Sequence, residues 1–301
     1  DAGNGIAAIW TGAANGLRYG TERRLCAWAA GVTPVVDHID RLRIPVTRVG
    51  RLADMPDIAR LVDATGADTL VTLLSGLIVP KAVLEKFGRQ AVNLHPACLP
   101  HYKGPVPRLG MLWDGEADRY GGITVHRLSE GIDEGAIIAR RKLPWSRSGH
   151  YIAWDLAAAR AAADVVRNEL TDYLDGRLEG EPQDPGAGSY RKRVRFEFAI
   201  TGDKPLAVVE ALFARMPGYV FAYMPRMPGY RRAYSVTGLA AVLGRPTGRP
   251  PVIGRFRIET DIGDARIRLV RKGLYHRTIG HPAARILASR LIGTDAGRAA
   301  E

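Results

Sequence analysis

Asn93 and His95 stand one residue apart in the run AVNLHPACLPHYKGPVPR, residues 91–108. On a strand, or at its extended end, such residues point to the same face, so the amide and the imidazole would lie side by side. The Pro-rich run behind them cannot continue a regular strand and must turn away. About forty residues on, Asp133 sits in the Gly-rich stretch GGITVHRLSEGIDEG, residues 121–135. These residue types suit acyl transfer to an amine, which passes through a tetrahedral adduct carrying an oxyanion. Such a reaction needs donors aimed at that oxygen, a route for the amine's proton, and exclusion of water. Asn93 offers a side-chain N–H2, and His95 an imidazole that can donate from one ring nitrogen. Asp133 can orient or charge-stabilise that imidazole and help take the proton, directly or through water. Either the asparagine or the histidine alone would read as structural. The three together, beside prolines, read as a site.

The surrounding pattern supplies elements to position them. GIAAIWTG (5–12) and IPVTRV (44–49) read as short strands. Residues 21–31 and 54–66 read as helices, the second capped by Asp54, with Ile58, Leu61 and Val62 on one face and Gly66 closing it. Residues 70–74 have the near-continuous apolarity of a central parallel strand buried on both sides. Pro80 suits the first turn of a helix running to Phe87 and ended by Gly88. QAVNLHP (90–96) is a further buried strand. Strand alternating with helix at this spacing predicts an open α/β fold with a mostly parallel sheet, whose ligands bind beyond the carboxyl ends of its strands. Residues 75–79 and 93–95 fall there.

Residues 107–116 read as a helix whose indole and methionine pack on the sheet. Residues 121–128 and 136–145 read as strands joined by the turn 129–135. A long helix is expected over 151–175, with Ile152, Leu156, Val165, Val166 and Leu170 supplying much of its buried face. Residues 205–218 read as a helix capped by Asp203, 221–236 as turn-rich, and 281–293 as a closing helix. RFRIETD (255–261) and ARIRLVRKG (265–273) alternate at period two and predict a β-hairpin. Its arginines 255 and 257, and 266 and 268, share a face of each strand, which is either a solvated sheet face or a surface for phosphate groups.

The expected organisation is a catalytic domain over 1–178, a linker at 179–189, and a smaller, basic, β-rich C-terminal domain over 190–301. The charge supports this division. Residues 1–189 carry 22 Lys and Arg against 23 Asp and Glu, whereas residues 190–301 carry 21 against 8. The net charge of +12 thus comes from the last third. That surplus permits an anionic partner such as tRNA, and it equally fits an arginine-rich composition, since 18 of the 21 are arginine. Two cysteines, Cys26 and Cys98, give neither a disulfide framework nor zinc-ligand spacing, so no metal is expected. No run of eighteen apolar residues suggests a membrane span, and the start lacks the pattern of a signal peptide, so the default location is cytoplasmic. A homodimer is in keeping with a sheet-based biosynthetic enzyme, although no residue pattern establishes it.

NLHPACLPHYKG resembles the NLHPSLLPxYRG signature of methionyl-tRNA formyltransferase and its relatives, which use 10-formyltetrahydrofolate as donor. GITVHRLSEGIDEG resembles the segment carrying that family's catalytic aspartate, and LLSGLIVP its folate loop. The resemblance covers roughly residues 44–145. It implies that Asn93, His95 and Asp133 are the catalytic residues. It also implies that Ser75, Gly76, Leu77 and Ile78 wall the pterin, with Glu130 to Asp133, Ile132 among them, opposite. A flat, amide-like heterocycle can be read by backbone groups above an apolar floor. Lys103 and Gly104 match the acceptor-side loop, where Lys103 either meets a phosphate or carboxylate or is simply solvated. His101 stands either on the surface or at the acceptor, and His126 reads as a supporting or core residue. Arg108 falls where the chain departs from the family pattern and would alter acceptor choice. Cys98, in place of the family's serine, reads as packing rather than as a nucleophile. The chain begins after the family's first strand, loop and helix, so that segment is expected to be missing or replaced. The implied function is N-formyl transfer to a small-molecule amine: an amino sugar, an amino acid or a biosynthetic intermediate. The alternatives are methionyl-tRNA formyl transfer, formyltetrahydrofolate hydrolysis and, last, a folate-binding module without catalysis.

Overall fold

The computed structural model describes residues 9–11, 35–48, 58–73, 78–148, 151–184, 186–216, 220–223 and 233–271. The helices expected at 21–31 and 281–293, the cap at Asp54 and residues Ser75, Gly76 and Leu77 lie outside them. The chain divides into two compact units. The first comprises residues 1–107, 120–143 and 157–191, and the second 108–119, 144–156 and 192–301.

In the first unit, β1 (Ile9–Thr11) pairs in parallel with β2 (Val46–Arg48). A four-stranded sheet follows, in the order β3 (Leu70–Leu73), β4 (Ala91–His95), β5 (Gly122–Arg127), β6 (Ile137–Lys142). β3 and β4 are parallel and are linked by the helix Lys81–Phe87, whereas β4–β5 and β5–β6 are antiparallel. The expected α/β fold is therefore present, and its sheet, expected to be mostly parallel, contains parallel strands but is mixed, with one of the three pairings in the four-stranded sheet parallel. Pro80 precedes that helix in extended conformation, and Gly88 ends it at φ 53°. This is the reading of proline at the start and glycine at the stop.

The two faces of the sheet have different chemistry. Val92 and Leu94 of β4 and Ile123 and Val125 of β5 form a core with Val165, Leu170 and Tyr173 of the long helical segment. That segment runs as helix Tyr151–Val165, a π-helical turn Val166–Leu170 and helix Thr171–Leu174. Val165 and Leu170 are buried as expected, but Val166 is 39% exposed. On the other face, Thr72, Asn93 and His126 are cross-strand neighbours, as are His95 and Thr124. β3 departs from the reading of a strand buried on both sides. It lies at the edge of the four-stranded sheet, and Val71 and Leu73 are 49% and 61% exposed.

The second unit holds a six-stranded sheet in the order β10-β11-β12-β9-β8-β7. These strands are β7 (Ala199–Ile200), β8 (Phe221–Tyr223), β9 (Ala233–Gly244), β10 (Val252–Ile253), β11 (Arg257–Asp261) and β12 (Arg266–Arg271). β11 and β12 are the expected hairpin. The segment read as turn-rich, 221–236, contains β8 and the start of β9. The helix Leu206–Arg215 is capped by Asp264 of the hairpin turn, which accepts from the Leu206 amide at 2.7 Å, rather than by Asp203. The helix Pro107–Asp114 buries Met111, while Trp113 turns its indole onto Phe198, at 6.4 Å between ring centres. No helix among the described residues is long and apolar enough to cross a membrane.

Candidate active site

β4 sets Asn93 and His95 on the polar face of the sheet, and β5 places His126 opposite Asn93. The turn 129–135 returns Asp133 to the same place, with a left-handed backbone at φ 56°. Asp133 is the hub of a hydrogen-bonded group, its side chain 12% exposed. Its Oδ2 accepts from the Gly104 amide at 2.7 Å and lies 3.5 Å from His95 Nδ1. Its Oδ1 lies 3.4 Å from Asn93 Nδ2 and 3.5 Å from His126 Nε2. The three expected residues are thus brought together, and His126 joins them.

The partners fix the proton positions. His95 Nε2 is 2.9 Å from the Tyr102 carbonyl, which can only accept, so that nitrogen carries the hydrogen. In the neutral ring Nδ1 is then a lone pair facing Asp133. The expected N–H of His95 is therefore committed to the backbone, and the ring offers the site a proton acceptor. His126 Nδ1 likewise donates to the Arg127 carbonyl at 2.8 Å, leaving Nε2 to accept from Asn93 Nδ2 at 3.0 Å. Asn93 Oδ1 accepts from the Thr72 hydroxyl at 2.7 Å. A flipped amide would turn that oxygen towards the Asp133 carboxylate, so Asp133 sets the orientation and the Thr72 hydroxyl donates to the oxygen it leaves exposed.

Burial holds the His95 imidazole below its usual range, against the opposing charge of Asp133 and the Tyr102 carbonyl. For Asp133 the largest single effect, burial, pushes the carboxyl up. His126, His95 and the Gly104 amide together outweigh it, so the group stays ionised below the ordinary carboxylate range. The resting state is a neutral imidazole beside a carboxylate, with a place for one proton between them.

The loop between Pro96 and Gly104 is held to the sheet by Thr124, which donates to the Ala97 carbonyl at 2.7 Å and accepts from the Leu99 amide at 3.1 Å. Arg140 also donates to the Leu99 carbonyl. Gly104 has φ 102°, and a Cβ there would come within 2.8 Å of the Tyr190 ring. Only glycine fits while delivering its amide to Asp133. Thr72 and Thr124 were missed in the sequence; strand register alone would have pointed to Thr72.

The remaining expected residues are placed as follows. Lys103 is buried, its side chain 6% exposed and its Nζ 3.9 Å from Glu134, so the reading as a solvated lysine is set aside. His101 stacks on Tyr120 with ring centres 4.2 Å apart. Arg108 pairs with Asp155 and lies over the Trp154 ring at 4.9 Å. Ile78 and Ile132 expose 78% and 48% of their surface. A 2.7 Å ion pair between Lys81 and Glu130 ties the segments that carry them. The Cys98 thiol lies against the Gly121 carbonyl at 3.5 Å, and burial pushes it up, which fits packing and opposes a thiolate nucleophile. In the second unit, Arg266 is buried against Asp261 at 2.9 Å, and Arg268 reaches Glu259 at 2.9 Å. Arg257 lies 3.8 Å from the same Glu259. Arg266 and Arg268 are therefore engaged by carboxylates of the hairpin itself, whereas Arg255 and Arg257 are exposed. Among the described residues, no group of three or more His, Cys, Asp or Glu is arranged to hold a metal ion.

Residues 33–148 match the Formyl transferase family. The chain is 35% identical over 235 residues to methionyl-tRNA formyltransferase of Sorangium cellulosum, covering 76% of this chain and 74% of that protein. It is 30% identical over 164 residues to the enzyme of the same name from Listeria monocytogenes serotype 4a, and there it spans 52% of the relative's length. Among solved structures, a variant of HypX from Aquifex aeolicus superposes with a TM-score of 0.50 at 14% identity. That match covers 87% of this chain and 44% of the other, and is a likeness of fold. With identity of this extent across most of a relative's length, the chain belongs to the formyl transferase family.

Proposed function

We propose that the protein transfers the formyl group of 10-formyltetrahydrofolate to the amine of a small-molecule acceptor, with Asn93, His95 and Asp133 as its catalytic residues. The observation that carries this reading is the lone pair of His95 Nδ1 held 3.5 Å from Asp133 Oδ2. The donor supplies an activated one-carbon acyl group. Ile78 and Ile132, apolar and open to solvent on segments joined by the Lys81–Glu130 pair, suit a flat heterocycle between them. As the new N–C bond forms and the donor's C–N bond breaks, the acceptor nitrogen loses a proton. His95 Nδ1 takes it, Asp133 stabilises the resulting imidazolium, and the proton then passes to the departing donor nitrogen, so that tetrahydrofolate leaves neutral and His95 returns to its starting state. Asn93 Nδ2 supplies a hydrogen bond to the carbonyl oxygen as charge develops there, giving up its weakest contact, the 3.4 Å one to Asp133.

A second reading takes methionyl-tRNA as the acceptor. It is supported by the names of the Sorangium and Listeria relatives and by the basic surplus, including exposed Lys192, Arg193 and Arg195. The pairing of Arg266 and Arg268 with Asp261 and Glu259 argues for the first. Labelled 10-formyltetrahydrofolate with a panel of amino sugars, amino acids and charged tRNA separates them. A tRNA acceptor requires an affinity that falls steeply with salt and weakens when Lys192, Arg193 and Arg195 are neutralised. Release of formate without any amine would instead point to a hydrolase. Failure to transfer or release formate with any member of the panel would refute the proposal.

A further inference from the structure

By composition, GRLEGEPQDPGAGS (176–189) is a linker. Its latter part is nonetheless hydrogen-bonded to both loops of the site. Glu181 exchanges backbone hydrogen bonds with Ile137, at 2.7 and 2.8 Å, and its carboxylate accepts from Arg140. Two residues on, Gln183 Nε2 donates to the Asp133 carbonyl at 3.0 Å and to the Gly135 carbonyl at 2.6 Å. Its Oε1 is buried without a hydrogen-bond partner, so the amide contributes through its N–H2 alone. Further along, Ser189 Oγ accepts from the Tyr102 amide at 3.0 Å, and the Ser189 carbonyl accepts from Lys103 at 2.8 Å. The Arg191 amide donates to the Lys103 carbonyl at 2.8 Å. Gly188 lies so close to Pro100 that a Cβ would approach its carbonyl oxygen to 2.0 Å.

Both loops need such support. Asp133 and Tyr102 are non-glycine residues at φ 56° and 58°, a left-handed conformation that L side chains disfavour and that persists only where the surroundings hold it. Each delivers one side of the proton path: Tyr102 gives its carbonyl to His95 Nε2, and Asp133 gives its carboxylate to His95 Nδ1. We propose that residues 181–184 and 186–191 are part of the active site, a strap across both loops, and that Gln183 is a positioning residue for Asp133. The kinetic part of this inference rests on the formyl-transfer reading; the geometric part does not.

Gln183→Met keeps the bulk of the side chain and removes both donors. Two measurements are made on native protein and variant. The first is NMR titration of the His95 ring without substrate, where the groups facing His95 are Asp133, His126 and the Tyr102 carbonyl. The second is steady-state formyl transfer from 10-formyltetrahydrofolate. As Asp133 withdraws, the His95 midpoint should fall by about half a pH unit or more. The kcat should drop about ten- to hundredfold, with KM for the donor within about threefold, as expected for a displaced catalytic group. An unchanged His95 titration overturns the proposal, as does a kcat within twofold of native. If Gln183→Met does not fold, Gln183→Asn, the same amide one methylene shorter, is read by the same two criteria. Native protein that transfers no formyl group refutes the proposed function, while the His95 titration still decides whether Gln183 positions Asp133.

Discussion

Replacing Thr72 by valine removes one hydroxyl and nothing else of similar size. The strand should tolerate it, since β-branched residues suit the pleat and Thr72 is only half-buried. What is lost is the 2.7 Å hydrogen bond that fixes Asn93 Oδ1. A neutral hydrogen bond of this kind contributes about 0.5–1.5 kcal/mol. If all of it bears on the reacting geometry, the rate falls by about two- to twelvefold, since 1.36 kcal/mol is a factor of ten. The loss is bounded because the Asp133 carboxylate still opposes the flipped amide. Thr72→Val should therefore lower kcat about three- to tenfold, whereas Asn93→Ala, which removes the donor itself, should cost about 10²–10³. The test is a double-mutant cycle on formyl transfer from labelled 10-formyltetrahydrofolate. In the Asn93→Ala background the valine should have less than about a twofold effect, because its target is gone. Equal effects in both backgrounds, or none in the native one, would refute the argument that Thr72 works through Asn93.

Asp133→Asn should bind the folate nearly as well as the native protein while transfer falls by orders of magnitude; an unchanged rate would show that the carboxylate has no part in the chemistry. Because His95 must be neutral to take a proton and burial holds it below its usual range, the acid limb that His95 imposes on kcat, read with both substrates saturating, should lie below pH 6.5. Asp133 raises His95, so in Asp133→Asn the residual acid limb should move to lower pH; a shift upward would mean that another group titrates. Gly104→Ala forces a Cβ against the Tyr190 ring at φ 102°. It should cost about 1–3 kcal/mol in a melting experiment and lower activity further by displacing the amide from Asp133. Cys98→Ser should keep kcat within about twofold, and loss of activity there would revive a covalent route.

The site was legible wherever side-chain direction follows from local periodicity. Asn93 and His95 share a face because they are two apart on a strand, and Asp133 was marked by the glycines around it. Thr72 was not, because its place opposite Asn93 depends on the register of two strands about twenty residues apart. The hairpin arginines were legible as a period-two pattern, but their function was not. Glu259 and Asp261 face Arg268 and Arg266 across a tight turn, so the same register that aligns these two arginines neutralises them. The apolar run at 70–73 misled about depth, since continuity of apolar residues does not say whether a strand has a neighbour on each side. Gln183 was hidden for a similar reason. A Pro- and Gly-rich stretch has the same composition whether it hangs free or lies against a sheet.

The close contact of Glu181, Gln183, Ser189 and Arg191 with the two loops and the strand beside them also bears on recombination between relatives. A seam chosen by composition, at the start of the Pro- and Gly-rich stretch, would give the first unit the foreign partner's Gln183 and Ser189 equivalents and whatever spacing that chain has between them. Chimeras that exchange the C-terminal part of the second unit, residues 192–301, should therefore join after Arg191. Those joined near residue 178 should keep a well-formed sheet and yet inherit an active site fitted to a different strap.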